Sequence, residues 1–191
     1  MANRRMIIAI TGGIGSGKSY ICKLLEEKGI AVYDCDAAAK RLMREDPKLQ
    51  AGLKQLVGND VYINKVLQKS ILAQFLLTSE SNKQAINDVV HPTVATNFLQ
   101  SSYQWLESAI LFESHFDRRI HPDKVVCVTA PFDIRVERVM KRDRITRELA
   151  KEWIEKQMPQ EEMIRLSDFE IVNDGQADLY PQIEQLLNQL Y

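Results

Sequence analysis

The chain has 191 residues, of which 45% are hydrophobic and 27% charged, and its formal net charge is −1. This length and composition are typical of one globular domain with small insertions, and the near-neutral charge argues against nucleic acid as the main partner. No apolar run approaches the roughly 20 residues that span a bilayer, so we expect a cytoplasmic protein with no membrane partner, no signal peptide and reduced cysteines.

The first predicted element is a buried strand at residues 6–10, followed by a glycine-rich loop and then a helix. Residues 12–19 read Gly-Gly-Ile-Gly-Ser-Gly-Lys-Ser and match G-x-x-x-x-G-K-[ST], the phosphate-binding P-loop. In this order of elements, backbone N–H groups at the helix N-terminus cradle the phosphates of a nucleotide. Lys18 is predicted to reach the β- and γ-phosphates, and Ser19 to ligate Mg²⁺. The predicted nucleotide-binding residues of the motif are Gly13, Ile14, Gly15, Ser16, Gly17, Lys18 and Ser19.

A second short strand at residues 30–33 ends at Asp34, and Asp36 follows one residue later. Ligands of parallel sheets bind at the carboxyl ends of the strands, so both carboxylates are expected at the edge that holds the P-loop. Phosphoryl transfer to an alcohol needs a carboxylate that accepts the hydroxyl proton. The alternative is helix capping by Asp36, which precedes a helical run, and from position alone the two interpretations are equally supported.

Residues 37–104 are predicted to be mainly helical, with breaks at 46–47, 58–59 and 91–92 and a short extended piece at 61–63. This block is long for a simple crossover between strands, so we interpret it as a helical insertion. His91 before Pro92 is either a substrate contact or part of a turn, because the residue before proline avoids the helical region.

Sheet structure is predicted to resume at residues 108–112, and Glu113 ends this apolar run. Four apolar residues and an acid resemble a Walker B strand, in which the carboxylate holds a metal-bound water or a substrate group. The alternative is an ordinary strand end. Further strands are predicted at 124–128 and 169–172, and a C-terminal helix presents leucines and Ile183 on one face.

An arginine-rich stretch lies between the strands at 124–128 and 169–172. Arg135, Arg138 and Arg142 fall on one helical face, and Arg147 lies in the following corner. In P-loop kinases a mobile lid at this place brings guanidinium groups over the phosphates. The alternative is a solvated face paired with the neighbouring acids. Asn173, at the end of the last strand, can contact an adenine edge or simply form a turn.

The alternation of strands and helices predicts an α/β fold, because a parallel sheet needs helices on both faces. The predicted architecture is a P-loop three-layer αβα fold with a central parallel sheet of about five strands. It is completed by a helical substrate-binding insertion and a small lid.

Taken together, these motifs resemble the dephospho-coenzyme A kinase family. The resemblance depends on residues 10–19, 34–40, 91–92, 111–113, 142–147 and 157–175. It implies transfer of the γ-phosphoryl group of ATP, with Mg²⁺, to the ribose 3′-hydroxyl of dephospho-CoA. That reaction is the last step of coenzyme A biosynthesis.

The resemblance also implies a division of the chain and roles for its residues. It implies a nucleotide-binding core of residues 1–36, 105–139 and 160–191, a dephospho-CoA-binding insertion at 37–104 and a lid at 140–159. It favours Asp36 as the base, and it makes Lys18 and Arg142 catalytic. Arg147 and Asn173 join the ATP-binding set. The implied substrate-binding residues are Thr11, Asp34, Asp36, His91 and Glu113.

Two other functions compete with this one. One is a different P-loop kinase that acts on a nucleoside, a nucleotide or a sugar. The other is a regulatory nucleotide switch, which is weakened because residues 82–85 begin Asn-Lys but lack the aspartate of a guanine-reading motif.

Overall fold

The structure is a computed structural model, and it describes residues 5–191. The chain divides into two compact units. The sheet unit comprises the described residues up to Tyr33, with Tyr103–Asp117 and His121–Tyr191. The helical unit comprises Asp34–Ser102 and Arg118–Ile120.

The strands, in chain order, are β1 (Ile8–Thr11), β2 (Val32–Asp34), β3 (Tyr62–Ile63), β4 (Val66–Leu67), β5 (Trp105–Glu107), β6 (Lys124–Thr129) and β7 (Phe169–Val172). The helices are α1 (Lys18–Glu27), α2 (Cys35–Glu45), α3 (Pro47–Val57), α4 (Lys69–Thr78), α5 (Glu80–Gln100), α6 (Asp117–Ile120), α7 (Phe132–Asp143), α8 (Arg147–Glu155), α9 (Gln160–Arg165) and α10 (Leu179–Leu190). Within residues 5–191, no helix is both long enough and apolar enough to cross a membrane.

Five strands form the main sheet in the order β2-β5-β1-β6-β7. β1 pairs in parallel with β5 on one side and with β6 on the other, and β6 pairs in parallel with β7. The loop after β1 therefore leaves the sheet where the strand order reverses, which is the usual ligand position in such sheets. The predicted three-layer α/β fold with a five-stranded parallel sheet is confirmed.

The core of the sheet unit forms where α1 and α10 pack their apolar residues with those of the strands. Ile8 and Ile10 of β1 are fully buried together with Ile21 and Leu25 of α1. α10 contributes Ile183, Leu186 and Leu190 to the same cluster. The predicted apolar face of the C-terminal helix is therefore confirmed, and this packing fixes β1 and the start of α1 on either side of the P-loop.

The helical unit contains α2 to α5 and a small antiparallel hairpin, β3–β4. Two predicted breaks are confirmed. Asp46 caps α3 with Pro47 in its first turn, and Gly58 follows the end of α3. The extended piece predicted at 61–63 contains the first strand of the hairpin, Tyr62–Ile63, whereas Val61 ends a short 3-10 helix.

The break predicted at His91-Pro92 is wrong, because Pro92 lies inside α5. Proline removes one helical hydrogen bond and disfavours helix in the residue before it. Here buried residues on both sides of the proline, Val90 and Val94, continue the packed face of the helix. α5 packs against α2, α3 and α4, and this tertiary packing outweighs the local preference.

The strand predicted at 108–112 is also misplaced. The strand is Trp105–Glu107, and residues 109–115 form turns. Both stretches are apolar, but Trp105 and Leu106 are fully buried whereas Ile110 is substantially exposed. An apolar run alone does not tell a strand from a turn that follows it.

Candidate active site

The P-loop follows β1, and its glycines adopt conformations that other residues avoid. Gly12, Gly15 and Gly17 have φ angles of 144°, 80° and 93°. Neighbouring elements also approach the loop closely. A Cβ atom on Gly12 would lie 2.2 Å from the carbonyl oxygen of Val128, and one on Gly17 would lie 2.1 Å from Nδ2 of Asn173. The loop therefore requires glycine for its conformation and for its contacts with β6 and the end of β7.

Lys18 begins α1, and its ammonium group lies against the loop. Nζ donates hydrogen bonds to the carbonyl oxygens of Gly12 and Gly13, at 2.7 and 3.2 Å. The residue is only 8% exposed. Burial lowers the pKa of Lys18, and the nearby carboxylate of Glu107 opposes that shift. A partly desolvated positive charge at a P-loop is suited to bind a nucleotide phosphate.

Glu107 is the functional candidate that sequence reasoning missed. It is the last residue of β5 and pairs in register with Ile10 of β1. It therefore occupies the strand-end position that the sequence analysis gave to Glu113. The signal was present in the sequence, since two apolar residues, Trp105 and Leu106, precede this acid.

Two arginines of α7 and one asparagine bind the carbonyl oxygens of the loop. Arg135 Nε donates to Ile14 at 2.9 Å, and Arg138 Nη1 donates to both Gly15 and Ser16 at 3.3 Å. Asn173 Nδ2 donates to Ser16 at 2.9 Å, and its Oδ1 accepts from Arg138 at 3.2 Å. The two ends of the Asn173 amide thus have partners in the loop and in α7, and its predicted adenine contact stays a prediction.

The other predicted lid arginines have acidic partners on the surface. Arg142 donates to Asp143 at 2.7 Å, and Arg147 donates to Asp133 at 2.6 Å. The hydrogen bond from Arg142 lowers the pKa of Asp143. Of the three arginines predicted on one face of α7, Arg135 and Arg138 therefore contact the loop. Arg142 instead lies on the surface and is paired with an acid, as the alternative interpretation predicted.

Three buried polar atoms at or beside the loop have no hydrogen-bond partner among residues 5–191. They are Thr11 Oγ1, Ser16 Oγ and Arg135 Nη2. Buried polar groups in proteins are normally hydrogen-bonded, and all three of these can donate to an oxygen. Ser19, the second residue of α1, has an exposed side chain. Among these donors, the hydroxyls of Thr11 and Ser16 suit a phosphate-bearing ligand.

The end of the predicted lid is bonded to the loop and to Glu113. Ile14 N–H donates to Oε1 of Gln157 at 2.6 Å, and Met158 N–H donates to Oε1 of Glu113 at 3.2 Å. The second oxygen of Glu113 is buried and has no hydrogen-bond partner in the part of the chain that the structure describes. Glu113 is thus a partly buried acceptor in a turn, not the end of a strand.

In the helical unit, the two aspartates after β2 have different roles. Asp34 is the N-cap of α2, and its Oδ1 accepts a hydrogen bond from Ala37 N–H at 2.9 Å. Asp36 lies in the first turn of the helix, is exposed, and accepts a hydrogen bond from Lys40. This bond raises the pKa of Lys40. The suggestion that Asp36 is the cap is wrong, because the helix begins one residue before it.

His91 lies within α5, where it is partly buried. Burial lowers its pKa to about 4; Arg119 adds to the shift and Asp88 opposes it. The imidazole is therefore neutral near pH 7, when it can both donate and accept a hydrogen bond.

Comparison with known proteins gives a consistent result. The family model described as Dephospho-CoA kinase matches residues 6–178. A Dephospho-CoA kinase of Bacteroides fragilis is 40% identical over 191 residues, which cover 96% of this chain and 92% of that protein. The crystal structure of a Thermus thermophilus protein matches with a TM-score of 0.81 and 30% identity, covering 97% of this chain and 98% of that one. A solved Dephospho-CoA kinase from Campylobacter jejuni matches with a TM-score of 0.67 over 96% of each chain, and at 20% identity it supports the fold alone.

Proposed function

Because this chain belongs to the dephospho-CoA kinase family, we propose that its P-loop, Lys18, Arg142 and Asp36 perform the family's reaction. The enzyme transfers the γ-phosphoryl group of ATP to the ribose 3′-hydroxyl of dephospho-CoA, which gives coenzyme A and ADP in the last step of coenzyme A biosynthesis. The assignment of roles to individual residues is our proposal, as are the cytoplasmic location and the absence of nucleic-acid and membrane partners.

The buried Lys18 ammonium is the observation that supports the ATP site most directly. Its hydrogen bonds to Gly12 and Gly13 hold it at the loop in a partly desolvated state. On binding ATP, Lys18 exchanges these carbonyls for phosphate oxygens, which bind an ammonium more strongly because they are charged. Arg142 and Arg147 leave their acidic partners and stabilise charge on the phosphoryl group in transfer.

The oxygen-bearing side chains near the loop also fit Mg²⁺. The Ser19 hydroxyl is exposed at the start of α1, and Glu107 ends the strand beside β1. No group of three or more His, Cys, Asp or Glu side chains among residues 5–191 could hold a metal ion by itself. Mg²⁺ keeps several waters and binds largely through substrate phosphates. When bound, the ion neutralises charge on the phosphates.

Asp36 is the proposed base because its neighbour Asp34 fills the helix-capping role that was the alternative for Asp36. Asp34 caps α2, whereas the carboxylate of Asp36 is exposed and bonds to a flexible lysine, Lys40. An exposed carboxylate that exchanges Lys40 for a hydroxyl can orient that hydroxyl and accept its proton as the phosphoryl group transfers. Asp34 then supports acceptor binding indirectly, because its cap fixes the first turn of the helix that bears Asp36.

The remaining residues are proposed to bind the acceptor or the adenine of ATP. We propose that residues 37–104 receive dephospho-CoA and that residues 140–159 act as a lid over the core formed by the rest of the chain. Neutral His91, the unpartnered oxygen of Glu113 and the unpartnered hydroxyl of Thr11 offer hydrogen bonds to the acceptor. Asn173 supports the loop and contacts the adenine.

Incubation of the purified chain with Mg²⁺-ATP and dephospho-CoA, followed by mass spectrometry of the acceptor, tests this proposal. We expect a gain of one phosphoryl group. Asp36→Asn is expected to lower kcat by about 10³-fold, within the range for loss of a general base, with ATP affinity unchanged. Asp34→Asn keeps the cap, since asparagine is an equally good N-cap, and is expected to lose less.

Asp60→Asn is the matched control, because Asp60 is an exposed aspartate of the same unit and is given no role in the reaction. It is expected to retain full turnover. An unmodified acceptor would count against the assigned reaction. Full turnover by Asp36→Asn would instead move the base to another carboxylate, Asp34 first.

A further inference from the structure

Arg135 is a buried arginine that the proposed chemistry does not use. It lies in the first turns of α7, is 5% exposed, and donates from Nε to the carbonyl oxygen of Ile14 at 2.9 Å. An arginine is rarely this buried unless it has a specific partner. Its partner here is the backbone of the P-loop, which suggests a role in shaping that loop.

The contact between Arg135 and the loop extends over several residues. A Cβ atom on Gly13 would lie 2.1 Å from Nη2 of Arg135 and 2.7 Å from its Cζ, so the guanidinium lies directly against Gly13. A Cβ atom on Gly15 would lie 2.6 Å from the carbonyl oxygen of Arg135. Arg138, three residues further along α7, donates to the next two carbonyls, those of Gly15 and Ser16. One face of α7 therefore holds three successive carbonyl groups of the loop.

Fixing a carbonyl group also fixes the N–H group on the other side of the same peptide plane. The peptide is planar and trans, so the carbonyl of one residue and the N–H of the next point in opposite directions. When Arg135 holds the carbonyl of Ile14, the N–H of Gly15 is turned away from α7. Inward N–H groups of a P-loop are the groups that cradle phosphates.

We propose that Arg135 is a positioning residue for ATP: it binds the outer, carbonyl side of the P-loop and thereby orients the Gly15 N–H toward the phosphates. This inference rests on the proposed ATP site. It explains why a guanidinium is buried against a glycine, and it assigns Gly13 a reason to be glycine other than its φ angle, since Gly13 is not among the residues with positive φ.

The first test measures binding of Mg²⁺-ATP by calorimetry in the absence of acceptor. Arg135→Met removes the donor while filling similar space, and it is expected to weaken ATP binding about tenfold or more, the effect of losing a charge-assisted hydrogen bond. Arg135→Gln places an amide nitrogen near the position of Nε and is expected to recover part of that loss. Arg165→Met, at an exposed arginine of α9, is the matched control and should bind ATP as the unaltered chain does.

Acceptor binding separates positioning from a general loss of structure. The Kd for dephospho-CoA is expected to be unchanged in Arg135→Met, and the KM for ATP is expected to change more than kcat. Unchanged ATP affinity in Arg135→Met would overturn the inference, and so would an equal loss in Arg135→Gln. Because ATP binding is measured alone, a chain that binds ATP but fails to phosphorylate dephospho-CoA would contradict the proposed function without affecting this result.

A double-mutant cycle with Gly13 gives a second, independent test. Gly13→Ala is expected to weaken ATP binding because the new methyl group displaces the guanidinium from Ile14. In the Arg135→Met background the methyl group meets no guanidinium, so Gly13→Ala is expected to add little further loss. Losses that simply add would show that the two residues act separately and would overturn the inference. The comparison of Gly13→Ala with and without Arg135 remains decisive even if Arg135→Met lowers Tm.

Discussion

The P-loop and the N-terminus of α2 are both proposed to act on substrate, yet their charged groups lie in opposite environments. At the P-loop, Lys18 and Arg135 are 8% and 5% exposed, and both bond to backbone carbonyls. At the start of α2, the side chains of Asp36 and Lys40 are 75% and 63% exposed, and they bond to each other.

This difference corresponds to two kinds of task. Binding phosphates depends on many backbone N–H groups that must be oriented in advance, so the loop is held by buried side chains that lose little freedom on binding. Accepting a proton from a hydroxyl depends on one carboxylate that must exchange partners, and an exposed ion pair is weak enough to allow it. A substitution at the loop should therefore change ATP binding and stability, whereas one at the start of α2 should change turnover.

The largest effect is expected for Lys18→Met, which tests the role of the buried charge at the P-loop. We expect kcat/KM for ATP to fall about 10³-fold, equivalent to ~4 kcal/mol of transition-state stabilisation, because the charge that reaches the phosphates is lost. The KM for dephospho-CoA is expected to stay the same. Steady-state kinetics with each substrate varied in turn measures both values.

Lys23→Met provides the control, because Lys23 is an exposed lysine on the same helix. It is expected to leave both kinetic parameters unchanged. Wild-type kcat/KM for ATP in Lys18→Met would contradict the assignment of residues 12–19 as the phosphate site.

Gly17→Ala tests whether close contacts, and not φ alone, constrain the loop. Gly17 and Gly29 have similar φ angles, 93° and 82°, but a Cβ atom on Gly17 would lie 2.1 Å from Asn173 Nδ2, whereas one on Gly29 would have no neighbour within 4 Å. Strain at such an angle costs about 1–2 kcal/mol in either variant. Gly17→Ala is expected to lose ~3 kcal/mol in total, because Asn173 must also give up its hydrogen bond to Ser16.

The free energy of unfolding in urea measures this difference. Gly29→Ala is the matched control, with equal strain and no crowding. Adding Asn173→Ala to Gly17→Ala should remove most of the crowding penalty. Equal losses in Gly17→Ala and Gly29→Ala would mean that the contact with Asn173 does not constrain the loop.

The smallest expected effect is on the free energy of unfolding, where the contribution of His91 in the helical unit depends on pH. The pKa of His91 is lowered to about 4 by burial, so the neutral form is favoured in the folded state and the charged form in the unfolded state. The stability that His91 contributes is present above its unfolded pKa of about 6.5. It is lost as the pH falls toward 4, and between pH 7 and pH 5 the loss is ~2 kcal/mol.

Urea unfolding of the unaltered chain and of His91→Gln at the two pH values measures this contribution. His91→Gln has no group that titrates at this position, and its stability is expected to fall less between pH 7 and pH 5. The same fall in both proteins would show that the His91 site does not disfavour the charged imidazole.

Local sequence patterns predicted those elements whose signals are short and specific. The P-loop, the helix that follows it and the apolar face of α10 were predicted because each depends on residues a few positions apart. The strand at 108–112 was wrong because two apolar stretches adjoin, and only burial against neighbouring strands shows that Trp105–Glu107 is the paired one. The same error concealed Glu107 as a candidate.

Part of the candidate site was also predictable from local sequence patterns. Lys18 was placed correctly at the loop because the motif fixes its distance from the glycines. The capping role predicted for Asp36 belongs to Asp34, a boundary shift of one residue that sequence patterns do not resolve. Which arginines of α7 contact the loop could not be predicted, because helical spacing places Arg135, Arg138 and Arg142 on one face without saying how far along the helix the loop lies.

The sequence by itself determined the class of fold, the family and the phosphate-binding motif, since these depend on residue type and spacing along the chain. Only the tertiary structure decided that Arg135, Arg138 and Asn173 hold the carbonyl groups of the loop and that Asp34 caps α2. The loop contacts join residues more than 100 positions apart in sequence. They form because the packing of β1, β6, α7 and β7 in one sheet unit brings those residues together, and no local pattern encodes such a distance.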